Sequence, residues 1–115
     1  PSETVYCDLV ERKNMKLYSY FFCSEKLEEK VFEAKECSKT YTALERGTGC
    51  IYKGMRINKE SIGNLIEHSN TIVFLEESRN AAIEAFISRE KRRADFAKRN
   101  LDRAQENIAH LEKLK

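Results

Sequence analysis

Two short stretches hold the residue types that best suit a charged ligand. The first is Tyr52-Lys53-Gly54-Met55-Arg56-Ile57-Asn58-Lys59, where cations surround a glycine and precede a predicted helical turn at 59–62 that Asn58 can cap. An arginine fork and the free N–H groups of a helix start both suit an anion. Arg56 and Asn58 are therefore expected to contact phosphate or ribose, although a solvated loop accounts for the same residues. The second stretch is the strand-to-helix junction at 74–80. Phe74 can stack on a base or ring, and Arg79 and Asn80 stand in the first turn of a helix. The plainer account here is a core phenylalanine beside a solvated arginine.

Other chemistry is poorly supplied. A nucleophile needs a base and an orienting group. The two histidines, His68 and His110, fall in a predicted turn and on an outer helix face. Asp8, Asp95 and Asp102 have no metal-site spacing, and none of the four cysteines forms a C-x-x-C pair, so no metal or cofactor is expected. Gly47-Thr48-Gly49 is not followed by the lysine and helix of a phosphate loop. The basic run Arg89, Lys91, Arg92 and Arg93 is interrupted by Glu90 and followed by Asp95 and Asp102. A solvated helix face is the reading there, and nucleic acid is not the expected partner. These absences point to a chain that is not an enzyme.

The elements that must position those residues follow from periodicity. Residues 5–11 alternate as a strand, and 15–23 alternate with aromatics on both faces, so the two are expected to form a hairpin. Tyr18, Tyr20 and Phe22 need cover, because a strand apolar on both faces is usually buried on both. Residues 24–36 are ambiguous. A turn around 26–29 followed by strands at about 30–36 and 39–45 is favoured, and a helix at 25–35 is the alternative. A short strand at 50–52, a stop at Gly63, core plugs at Leu65 and Ile66, a turn at 68–70 and a strand at 71–75 complete the first part.

The run 77–115 contains no glycine and no proline, and Ser78 can cap its start. At roughly 1.5 Å per residue it reaches about 55 Å, longer than a small sheet can cover. Its seam runs Ile83, Ile87, Glu90, Ala94, Ala97, Leu101, Ala104, Ile108, Leu111, Lys115, an unbroken heptad with Ile87 at position a. Parallel pairing stacks alanine on alanine in three layers. Antiparallel pairing that crosses between Leu101 and Ala104 opposes large to small in every layer, Ala97 to Ile108 and Ala94 to Leu111, and sets Glu90 against Lys115. The expected fold is thus α+β, with a small, mostly antiparallel sheet at 1–76 and a long C-terminal helix at 77–115 forming an antiparallel coiled coil, and the chain at least a homodimer.

Charged residues are 35% and hydrophobic residues 41% of the chain, with a net charge of +2 too small to name a partner. No apolar run is long enough for a membrane span and no secretory leader is evident, so a reducing cytoplasm with free, core-type cysteines is expected, two disulfides being the alternative.

The small sheet, the "MRINKESIG" loop and the charged C-terminal coiled coil together resemble the phage anti-Thoeris sponge proteins. That resemblance is architectural. It implies a non-enzymatic anti-defence protein that sequesters a cyclic ADP-ribose-type immune signal in pockets of a homo-oligomer. Arg56, Asn58, Phe74, Arg79 and Asn80, picked out on their own chemistry, are the expected contacts for such a small anionic nucleotide-like ligand. The rival expectations are an adaptor or inhibitor that presents Tyr18, Tyr20 and Phe22 to a host enzyme, and a nucleic-acid-binding regulator.

Overall fold

The computed structural model describes residues 14–66 and 69–115. The expected strand at 5–11 and His68 lie outside them. Two units divide the chain, Pro1–Ala82 and Ile83–Lys115.

The first unit is built on an antiparallel hairpin. Strand β1 (Asn14–Cys23) pairs with β2 (Lys26–Glu36) in continuous register from Cys23↔Lys26 to Asn14↔Lys35. The aromatic strand at 15–23 thus folds onto the segment that follows it. The segment expected as a possible helix at 25–35 is strand from Lys26 onward, and the turn is Ser24–Glu25, two residues earlier than expected. Both carry positive φ, 53° and 66°. That is the backbone of a tight two-residue hairpin turn, usually supplied by Asn-Gly, and it costs an L-residue about 1 kcal/mol per position. The ten cross-strand pairs that follow hold it in place.

Strands β3 (Thr40–Ala43), β4 (Arg56–Asn58) and β5 (Thr71–Phe74) complete a five-stranded antiparallel sheet in the order β4-β3-β2-β1-β5. A 3-10 turn, Lys59–Ser61, follows β4. Asn58 stands at its start without a side-chain cap, so the expected cap is not made. Gly63, at φ 80°, donates to the Val73 carbonyl at 2.8 Å, and the Ile66 N–H donates to Thr71 at 2.9 Å. The segment leaving one edge strand therefore bonds to the other, and the sheet curls.

The concave face holds the core: Leu17, Phe32, Ala34, Tyr41, Ala43, Ile51, Ile57 and Val73, with Met15, Met55, Ile62 and Ile66 packed around it. Residues 50–52 are loop rather than strand. Ile51 is nonetheless buried, because the loop folds back over the core and closes with Gly47 N–H to the Ile51 carbonyl, 3.2 Å.

Cys37 is buried at the β2–β3 turn and is disulfide-bonded, its partner lying outside the described residues. Only Cys23 and Cys50 are free among the described cysteines, and both are exposed, so the expected buried free thiols are not found there. No helix of the described residues is long and apolar enough to cross a membrane.

The second unit is helical. Helix α1 (Arg79–Lys113) has 35 residues, about 50 Å of rise. Its start is capped differently from the expectation. The Ser78 hydroxyl donates to the Glu76 carbonyl at 2.9 Å, and the Glu77 carboxylate accepts the Arg79 N–H at 3.0 Å, a charge favourable to the helix dipole. Every residue from 91 to 115 is exposed.

Candidate functional site

The structure separates the predicted site residues into two groups. Arg56 and Asn58 alternate with buried Ile57 on β4 and point outward together, both exposed. Phe74, Arg79 and Asn80 stand where β5 passes into α1. In strand order β4 and β5 are the two ends of the sheet, with three strands between them. The cationic loop is also less free than its composition implies. Lys59 is held by Glu36 at 2.7 Å and lies 5.4 Å from the Tyr41 ring centre.

The β5–α1 junction is organised by a residue not counted as a ligand contact, Tyr20. Its ring is 2% exposed and meets Phe74 edge to face at 5.8 Å. Its hydroxyl accepts the Ser78 N–H at 2.8 Å. Tyr20 and Ile72 are paired on the convex face of the sheet, both buried. The cover that an all-apolar strand requires is therefore present at this point. Arg79 turns onto β2, its Nε 3.3 Å from Glu29 Oε2. Both partners are about half exposed, so the pair contributes little to stability. An open groove of about 160 Å³ lies beside it, lined by Tyr18, Tyr20, Glu29, Lys30, Val31 and Glu77. Its two carboxylates stand beside one lysine, and the neighbouring Arg79 is already engaged with Glu29, so no free arginine fork is offered to a phosphate.

Tyr20 also responds to this setting. Burial pushes its hydroxyl above the ordinary tyrosine range, the Ser78 N–H pulls it down, and Glu77 and Glu29 raise it. A proton held more tightly in the folded state stabilises the fold fully below the unfolded value near 10. That contribution is lost as pH rises through the higher folded value. Tyrosinate absorbance is accordingly expected to show one late-titrating component that disappears in Tyr20→Phe. If the titration is unchanged in that variant, Tyr20 is not the late group.

A second concavity, of about 560 Å³, lies between β2 at Glu28, Glu29 and Lys30 and the loop Arg46, Gly47, Thr48 and Gly49. The loop is anchored from below by buried hydroxyls. Ser19 Oγ donates to the Lys30 carbonyl at 2.9 Å and accepts the Thr48 N–H at 3.1 Å, and Thr71 Oγ1 accepts the Cys50 N–H at 3.4 Å. Thr48 Oγ1 is buried without a hydrogen-bond partner among the described residues. Ser19 could have been noticed as the one polar residue at a concave-face position of an aromatic strand. Its link to Thr48, 29 residues away, has no local signal.

Along the helix, Glu90 accepts from Arg93 at 3.0 Å and lies 3.5 Å from Arg89 Nε, while Arg89 stacks over the Phe86 ring at 5.4 Å. The basic run is thus partly neutralised within its own turn, which weakens a phosphate-binding reading. Among the described residues no group of acidic, cysteine or histidine side chains could hold a metal ion. No family model, no curated protein and no solved structure matches the chain.

Proposed function

We propose that this chain is a non-catalytic binding protein that assembles as a homodimer through antiparallel pairing of α1 and presents its curled sheet to a protein partner. One observation carries the reading. Leu101, Ile108 and Leu111 stand 53–63% exposed, on the seam that also carries Ala94, Ala97 and Ala104. A heptad stripe of this length left in water is an interface awaiting its other half. The partner-facing surface is the convex side of the hairpin, where Tyr18 and Phe22 are half-buried and Val31 is 43% exposed. The shallow groove beside them, with Tyr18, Tyr20 and Val31 among mixed charges and its neighbouring arginine already paired, suits a protein surface better than an anionic nucleotide.

The dimer and its direction are tested by cross-linking. With Cys23 and Cys50 replaced by serine, Ala97→Cys and Ile108→Cys chains are expected to link to each other when mixed, and neither to itself. Self-linking of Ala97→Cys would mean parallel pairing and sink the proposed arrangement.

Sequestration of a cyclic nucleotide signal is the second reading, favoured only by Arg56 and Asn58, which share an exposed face. Titration calorimetry with cyclic ADP-ribose isomers separates the two readings. Heat that vanishes in Arg56→Ala supports the nucleotide.

A further inference from the structure

Strand β2 is longer than the strand that covers it. β3 pairs with β2 only from Ala34 to Glu36, and Leu44 N–H adds one more bond to the Glu33 carbonyl at 2.8 Å. Beyond this the chain turns away, and the Glu45 carboxylate takes the Glu33 N–H at 2.9 Å. Residues 27–31 therefore have no strand partner on that side among the described residues. Both backbone groups of Glu33 point to the β3 side. With the two-residue repeat of a strand, those of Val31, Glu29 and Leu27 point the same way. The concavity beside Glu28, Glu29 and Lys30 keeps the loop at 46–49 off this edge.

We infer that this free edge of β2 pairs antiparallel with the same edge of a second copy, centred on Glu29. In that register Leu27 faces the partner copy's Val31 and Glu28 faces its Lys30, each twice by symmetry. The charges fall at the non-hydrogen-bonded positions, where opposed side chains come closest, and about six inter-chain backbone bonds form at the others. The half-exposed Val31 gains an apolar neighbour on the convex face. The one like-charge contact, Glu29 on Glu29, is relieved because each copy carries Arg79 against its own Glu29.

Other registers fail on the same residues. Centring on Glu28 sets Lys26 against Lys30, and centring on Lys30 opposes lysine to lysine and glutamate to phenylalanine. Centring on Leu27 runs the positive-φ turn residues Ser24 and Glu25 into the ladder. Lysine and glutamate on an edge ordinarily deter pairing. Here they are placed so that a second copy satisfies them.

The test uses the 115-residue chain carrying Leu101→Asp, so that helix pairing does not contribute. Sedimentation at high micromolar concentration is expected to show dimers. Adding Glu28→Lys should raise the dissociation constant about tenfold or more, and adding Lys30→Glu to that chain should restore it. The amides of Glu29 and Val31 should become protected from exchange as concentration rises. Equal masses for all three chains overturn the inference, as does protection that is independent of concentration, which would mean cover from within one chain. Helix pairing fails separately: its failure removes the effect of Leu101→Asp and leaves the dependence on Glu28.

Discussion

Gly49→Ala is expected to unfold at much lower denaturant than the parent, losing about 2–4 kcal/mol of stability. Two causes add. Gly49 has φ 54°, a left-handed conformation that costs alanine about 1 kcal/mol. A methyl group there would also overlap the Thr71 hydroxyl and sit 2.5 Å from Phe21 Cδ1. Neither neighbour can yield cheaply. Thr71 is fully buried and paired with Phe21 across β5 and β1, and its hydroxyl holds the Cys50 N–H. Room for the methyl must come from parting the loop from the sheet, which strains the Thr48–Ser19 bond and the plug formed by Ile51.

Gly54→Ala is the matched control. Its φ is 91°, further from the left-handed well that alanine can adopt than the 54° of Gly49, but among the described residues nothing lies within 4 Å of the added carbon. Only a conformational cost of about 1–2 kcal/mol remains. Urea melts of the two variants decide the point. Equal losses would mean that the loop is not seated on β1 and β5 as described.

What was legible in the chain follows from where information is local. The long helix shows itself because 35 residues repeat one period without a breaker, and Gly63 marks its turn by the positive φ it must adopt. The aromatic strand and its need for cover were equally plain. β2 was legible only in its second half, the strand expected at about 30–36, and the reason is physical. Its first half, Lys26 to Lys30, is exposed at every position but Leu27, so burial imposes no alternation there. The Ser24–Glu25 turn carries neither asparagine nor glycine, so the hairpin is set by its ladder rather than announced by its turn.

The candidate site was legible as residue types and not as a constellation. Phe74, Arg79 and Asn80 are grouped by sequence proximity at the strand-to-helix junction, where Phe74 meets Tyr20 and Arg79 turns onto Glu29. Arg56 and Asn58 were grouped with them on chemistry alone, and strand order sends them to the far edge. The contacts that govern the junction, Tyr20 with Ser78 and Glu29 with Arg79, span 58 and 50 residues, beyond the reach of any local pattern.

Leu101→Asp, placed in a Glu28→Lys chain so that edge pairing is silent, is expected to convert a dimer into a monomer. In the antiparallel register Leu101 sits beside the centre and faces the partner copy's Ala104. The two-fold axis repeats that layer, so each substitution is felt twice. Removing a buried leucine costs about 2–3 kcal/mol. Two layers therefore lose about 5 kcal/mol, a rise of three to four orders of magnitude in the dissociation constant. The aspartates add a desolvation penalty, since each carboxylate would face the partner's alanine. Helicity should fall with the mass, because residues from 91 onward make no burial of their own and a lone helix of this kind holds only weakly in water. Arg99→Asp, on the opposite face of the heptad, is expected to leave both mass and helicity unchanged. Sedimentation equilibrium with far-ultraviolet circular dichroism reads the two together. A parent chain that is already monomeric, or a Leu101→Asp chain as dimeric as Arg99→Asp, would show that the alanine–leucine seam is not where the copies meet.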